Sequence, residues 1–171
     1  MGKKKTTQTT AEVSGILEPT KKTDKALNYK IAIKCRNQHQ KDYLKLLCEK
    51  EIVFCSGEAG CGKTYVAIAK GLALLQRRDN SFNKIYLITP SMPSEENLGF
   101  LPGTVDEKLL PSMMSFLIVI DEIVGRSARE QLFNQHFIEF MPMSYLRGVN
   151  LKDCIVIGDE LQNMTVRGMK T

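Results

Sequence analysis

The run Gly57-Glu58-Ala59-Gly60-Cys61-Gly62-Lys63-Thr64 is a complete G-x-x-x-x-G-K-[ST], and no other feature constrains this chain as strongly. A loop of this kind sits between a strand and a helix. Gly57, Gly60 and Gly62 permit backbone conformations that aim several N–H groups inward. Those amides, with the N-terminus of the following helix, attract phosphate oxygens. Lys63 would place a point charge between β- and γ-phosphates, and the Thr64 hydroxyl would ligate Mg2+. The candidates for holding ATP are therefore Gly57, Glu58, Ala59, Gly60, Cys61, Gly62, Lys63, Thr64 and Tyr65. A chance glycine-rich turn is the bland alternative, and the flanks speak against it.

Residues 51–55, EIVFC, form a short β-branched apolar run bounded by Ser-Gly, which predicts a buried strand entering the loop. An apolar-rich helix is expected from Lys63 to Arg78, broken by Asp79-Asn80-Ser81. Before them, residues 38–50 place Tyr43, Leu44, Leu46 and Leu47 on one side of a short helix. Residues 84–88 predict a second strand, 89–105 a long Pro- and Gly-rich loop, 106–126 a helix, 137–141 another strand and 153–157 a third firm strand. Strand alternating with helix indicates an α/β fold, a parallel sheet with helices on its faces.

Magnesium also needs an acidic residue at the end of a neighbouring strand, and two runs compete: LIVIDE ending in Asp121-Glu122, and CIVIGDE ending in Asp159-Glu160. The first is the cleaner local pattern. Its surroundings, however, put Met113, Phe116, Leu117, Ile120, Ile123 and Val124 on one stripe at helical spacing, and Pro111 suits a helix start. CIVIG is short, β-rich and preceded by polar residues, and Gly158 would let the strand end close to the nucleotide. Asp159 is therefore the expected metal ligand and Glu160 the residue that activates water, while Asp121 and Glu122 become helix surface. Cys61 reads either as a small filler or as an exposed thiol at a helix N-terminus, open to oxidation.

The 171 residues suffice for one domain, and no apolar run approaches the ~20 residues of a membrane span. No apolar stretch follows the basic start, which excludes a secretory signal. Five cysteines with no C-x-x-C and only two histidines argue against structural zinc and suit a reducing cytoplasm. The net charge of +5 is concentrated: residues 1–30 carry seven lysines against three carboxylates, a net +4. That stretch reads as a basic flexible arm, either solvated or in contact with an anionic polymer such as nucleic acid, with the domain proper at residues 31–171.

Taken together, Gln40-x-x-Tyr43, GEAGCGKT, ENLGFLPGTVDEK at 96–108, MSYLRG at 143–148 and DELQN at 159–163 make residues 36–171 resemble the PhoH-like family of P-loop ATPases. The resemblance implies a RecA-like core related to superfamily-one helicases, with ATP hydrolysis directed at RNA or single-stranded nucleic acid. It implies that Gln40 contacts the adenine, that Gln162 couples the γ-phosphate to nucleic acid, and that Arg147 lies near the site. A single RecA-like domain supplies one wall of a nucleotide cleft, which implies a homo-oligomer. The chain departs from the family pattern at Thr89-Pro90 and Leu161, and it stops at Thr171 where members continue, so the C-terminal part of the core is expected to be missing. Phe100 would either stack on a base or pack inward.

Two further functions compete with the ATPase. One is a nucleotide-dependent binding module without effective hydrolysis, which the early end favours. The other is a small-molecule kinase, against which stands the scarcity of lid arginines: residues 89–130 hold only Arg126 and Arg129.

Overall fold

The computed structural model describes residues 29–77, 81–90, 105–141, 146 and 148–165, and of 105–112 the backbone alone. Its centre is a parallel sheet of three strands, β1 (Lys84–Ile88), β2 (Ile138–Phe140) and β3 (Cys154–Gly158), in the order β2-β1-β3. Ile85 pairs with Ile138 on one side and Ile155 on the other, and Leu87 with Phe140 and Ile157. The middle strand is apolar almost throughout because both of its faces are covered, the usual condition of parallel strands.

Among the described residues four α-helices accompany the sheet: α1 (Gln38–Glu49), α2 (Lys63–Gln76), α3 (Val105–Val124) and α4 (Arg126–Asn134). Asn37 caps α1 by accepting from Gln40 N at 2.9 Å. In α2, Val66, Ile68, Ala69, Gly71, Leu72 and Leu75 are buried. A Cβ on Gly71 would come 3.1 Å from Ile157 Cδ1, so this helix lies close on the sheet. Phe116 and Ile120 of α3 and Leu132 of α4 complete the core with no exposed surface. The rings of Phe116 and Phe133 meet that of Phe140 at 6.1 and 5.3 Å.

The expected stripe on α3 holds, with Met113, Phe116 and Ile120 buried, and Asp121 lies in that helix and not on a strand. Three expectations need correction. The long helix ends at Gly125, whose φ of 82° no side chain adopts easily, and α4 follows at once. The packed region also reaches further back than residue 31. Tyr29 is buried against the core, donates its hydroxyl to Leu72 O at 3.3 Å and accepts from Gln76 Nε2.

Finally, EIVFC is not a buried strand. Residues 51–55 join no ladder, and Ile52 and Phe54 are 77% and 83% exposed. β-branched and aromatic content favours an extended chain, but a strand exists only with a partner. Among the described residues β3 forms that end of the sheet, with Val156 45% exposed. Residues 1–28, the GFLPG run at 99–103 and Arg147 lie outside the described residues.

Candidate nucleotide site

The carboxyl ends of β1 and β3 lie side by side, with Asp159 N donating to Ile88 O at 2.9 Å. This is the edge of an open α/β sheet at which ligands bind. The glycine-rich loop meets the same edge. Gly60 and Gly62 adopt φ of 75° and 86°, whereas Gly57 does not enter the left-handed region. Gly62 is the N-cap of α2, and a Cβ there would fall 2.7 Å from Gln40 Nε2. Two constraints, a positive φ and a close neighbour, thus require glycine at this position.

Lys63 folds back over the loop, donating to Gly57 O and to Glu58 O, both at 2.8 Å. Its ammonium is 3.7 Å from Cys61 Sγ. Glu58, Ala59 and Gly60 stand exposed at the turn. At the first turn of α2, Thr64 Oγ1 donates to Asp159 Oδ2 at 2.9 Å. The other carboxylate oxygen, Oδ1, accepts from Glu160 N at 3.0 Å. Gly158 stands close under this corner, since a Cβ on it would meet Leu161 Cδ1 at 2.8 Å.

Glu160 holds a left-handed backbone, φ 56°, which turns the chain into the short 3-10 helix Leu161–Asn163. Its carboxylate accepts from Gln162 Nε2. Asp121, the competing acidic residue, is held elsewhere: Arg129 Nε reaches its Oδ1 at 2.6 Å and ties α3 to α4. Arg126 pairs with Glu130 at 3.0 Å. Both arginines that a kinase lid would draw on are therefore engaged along helices.

Gln40 joins the chain ahead of α1 to the loop. Its Nε2 donates to Cys61 O at 2.8 Å, and its Oε1 accepts from Arg36 N at 2.6 Å. One N–H and one lone pair of that amide remain for a ligand. A cleft of about 700 Å³ opens on this side, lined by Gln40, Gly60, Cys61, Gly62 and Tyr65 together with Lys30, Lys34 and Arg36. These three cations lie on one face because residues 29–36 alternate between packed and exposed positions. A second cleft, of about 690 Å³, lies toward Tyr43, Phe54 and Cys55.

Tyr43, which the sequence places on the apolar side of a helix and in the Gln40-x-x-Tyr43 run, lines this second cleft. Burial pushes its phenol up to about 12, and the negative charges of Cys55 and Asp159 add to the effect. The signal was its position three residues after Gln40, one turn along the same helix. The Cys55 thiol is also raised, first by burial and then by Cys61, with Lys63 opposing.

The residues fit a magnesium-bound polyphosphate. A hydroxyl and a carboxylate within one hydrogen bond are the hard oxygen donors this ion takes, and phosphates and water supply the rest of its shell. Such a site needs no cluster of protein ligands, and among the described residues no group of three His, Cys, Asp or Glu is present. No described helix is long and apolar enough to cross a membrane.

Comparison with known proteins bears on the same region. The family model described as PhoH-like protein matches residues 32–171. A PhoH-like protein of Bacillus subtilis strain 168 is 35% identical over 139 residues, covering 81% of this chain and 43% of its own length. Protein PhoH of Escherichia coli K12 is 36% identical over 140 residues, covering 81% and 39%. A PhoH-like protein of Mycobacterium tuberculosis H37Rv is 36% identical over 138 residues, with the same shares of 81% and 39%. The chain thus spans about two fifths of the length of these relatives.

Proposed function

Because this chain belongs to the PhoH-like family, an α/β family of P-loop nucleotide-binding proteins, we propose that it binds Mg-ATP and hydrolyses it in work on RNA or single-stranded nucleic acid. The observation that carries this reading is the hydrogen bond from Thr64 Oγ1 to Asp159 Oδ2 at 2.9 Å, which joins the phosphate loop to the end of β3. Two residues 95 positions apart in sequence meet there, and their pairing supports joint binding of a triphosphate and a metal.

In this reading the loop amides and the N-terminus of α2 cradle the β- and γ-phosphates. Lys63 exchanges its two loop carbonyls for phosphate oxygens and holds the charge that develops as the terminal bond breaks. Thr64 and Asp159 would hold magnesium, which when bound neutralises phosphate charge. Glu160 accepts the proton of the attacking water at its carboxylate. Gln162, already hydrogen-bonded to that carboxylate, orients it and links it to whatever occupies the adjacent surface. Gln40 and Tyr65, which line the cleft beside Gly62, receive the base and ribose.

The test is steady-state ATP turnover with and without single-stranded RNA, for the chain and its Glu160→Gln variant. The proposal expects RNA to raise turnover and the variant to reduce it at least a hundredfold with ATP still bound. A second reading, a nucleotide-dependent binding module, draws on the same Gln162 contact, which occupies the carboxylate that has to accept a proton. Tight ATP binding with turnover indifferent to Glu160→Gln would select it.

A further inference from the structure

We propose that Cys61 is a modification site at which a hydroperoxide switches the phosphate loop off, with Cys55 as the resolving thiol. As regulation of that loop the inference rests on the nucleotide reading above, while the chemistry at sulfur stands apart from it.

Three observations point there. Cys61 Sγ lies 3.7 Å from the Lys63 ammonium, within reach of a hydrogen bond to sulfur. A Cβ built on Gly57 would sit 3.5 Å from the same sulfur, so the thiol hangs over the first residue of the loop, two positions beyond Cys55. Cys55, Cys61 and Lys63 line one cleft of about 690 Å³, and both cysteines are exposed to a small oxidant.

Among the described residues another thiol lies beside an ammonium where Lys70 Nζ approaches Cys48 Sγ at 3.2 Å. Cys48 is not among the residues that line this cleft. The second thiol in the cleft is what distinguishes Cys61.

The steps balance. The Cys61 thiolate attacks one oxygen of the hydroperoxide; an S–O bond forms, the O–O bond breaks, and the departing oxygen takes a proton to leave as water or an alcohol. The Cys55 thiol then attacks the sulfenic sulfur; the S–S bond forms and the hydroxyl leaves with the thiol proton as water. The peroxide is reduced by two electrons, one drawn from each sulfur. A bridge from residue 55 to residue 61 closes a small ring through Gly57, Glu58 and Gly60. It fixes the loop backbone whose amides must turn toward phosphate, and it requires the two Cα atoms to come within about 7 Å.

The experiment treats the full chain with hydrogen peroxide and reads peptide masses, capture of sulfenic acid by dimedone, and ATP affinity before and after. The expected result is a Cys55–Cys61 disulfide, a loss of ATP affinity of at least tenfold, and recovery with dithiothreitol. The Cys55→Ser variant should stop at a dimedone-reactive Cys61, and Cys48→Ser should behave as the parent chain. Oxidation confined to Cys48, or an equal peroxide-induced loss of affinity in a Cys61→Ser variant, would overturn the proposal. Failure of the reduced chain to bind ATP while the disulfide still forms would instead count against the nucleotide reading and leave the modification site standing.

Discussion

Lys63 spends its ammonium on two carbonyls of its own loop, at Gly57 and Glu58. In the proposed function triphosphate oxygens would take the place of these carbonyls as charged acceptors, and a hydrogen bond to a charged group is worth about 1.5–3 kcal/mol. Lys63→Ala is therefore expected to weaken ATP binding about 10- to 100-fold, read by calorimetry, with the melting temperature little changed. Asp159→Asn addresses the metal. It keeps an acceptor for Thr64 Oγ1 but loses the charge, so the affinity gained by adding magnesium should disappear while the affinity in EDTA is retained. Gly62→Ala forces a side chain to φ 86°, at a cost of about 1–2 kcal/mol. It also pushes a methyl group onto Gln40 Nε2, which breaks the Gln40–Cys61 bridge. Both melting temperature and ATP affinity should fall in that variant.

At the level of elements, β1, β3, α1 and α2 were legible because periodicity and boundary residues agreed: Thr89-Pro90 closes β1, and the polar run from Asn150 to Asp153 precedes β3. The choice between Asp121 and Asp159 as the acidic residue at a strand end was legible for a related reason. Phe116 and Ile120 share a helical stripe that the local LIVIDE pattern conceals. Phe116 has no exposed surface, and Phe116→Ala should destabilise the fold by about 3–5 kcal/mol in urea unfolding. Two elements were not legible. The break at Gly125 depends on one positive φ, and a single glycine within an apolar helix does not announce that it ends it. EIVFC has the composition of a strand, but pairing is a property of two segments, and composition reports only one of them. In the site, the glycine-rich run and Gln40 stood out in the sequence, whereas the hydrogen bond from Gln40 Nε2 to Cys61 O is a tertiary contact that sequence alone does not display.

Across the whole molecule, the chain ahead of α1, the loop and the end of β3 are drawn together around α2. Tyr29 anchors this arrangement at the far end of the helix through Leu72 O and Gln76, and Tyr43 lines the cleft beside the loop. Both phenols are raised by burial, that of Tyr43 to about 12. Folding therefore favours their protonated forms. Above about pH 10 the unfolded chain binds fewer protons than the folded one, so stability present below pH 10 is lost as pH rises toward 12. Urea unfolding between pH 8 and 12 should show this decline, and a Tyr29→Phe, Tyr43→Phe double variant should show a flatter one. The proposed function depends on a triphosphate lying across the start of α2 with Asp159 beside its metal. Titration of ATP into the folded chain in a calorimeter, with and without magnesium, tests that most directly. Saturable heat that strengthens with magnesium and is lost in Lys63→Ala is the expected result; folded protein that gives no binding heat in either condition would contradict it.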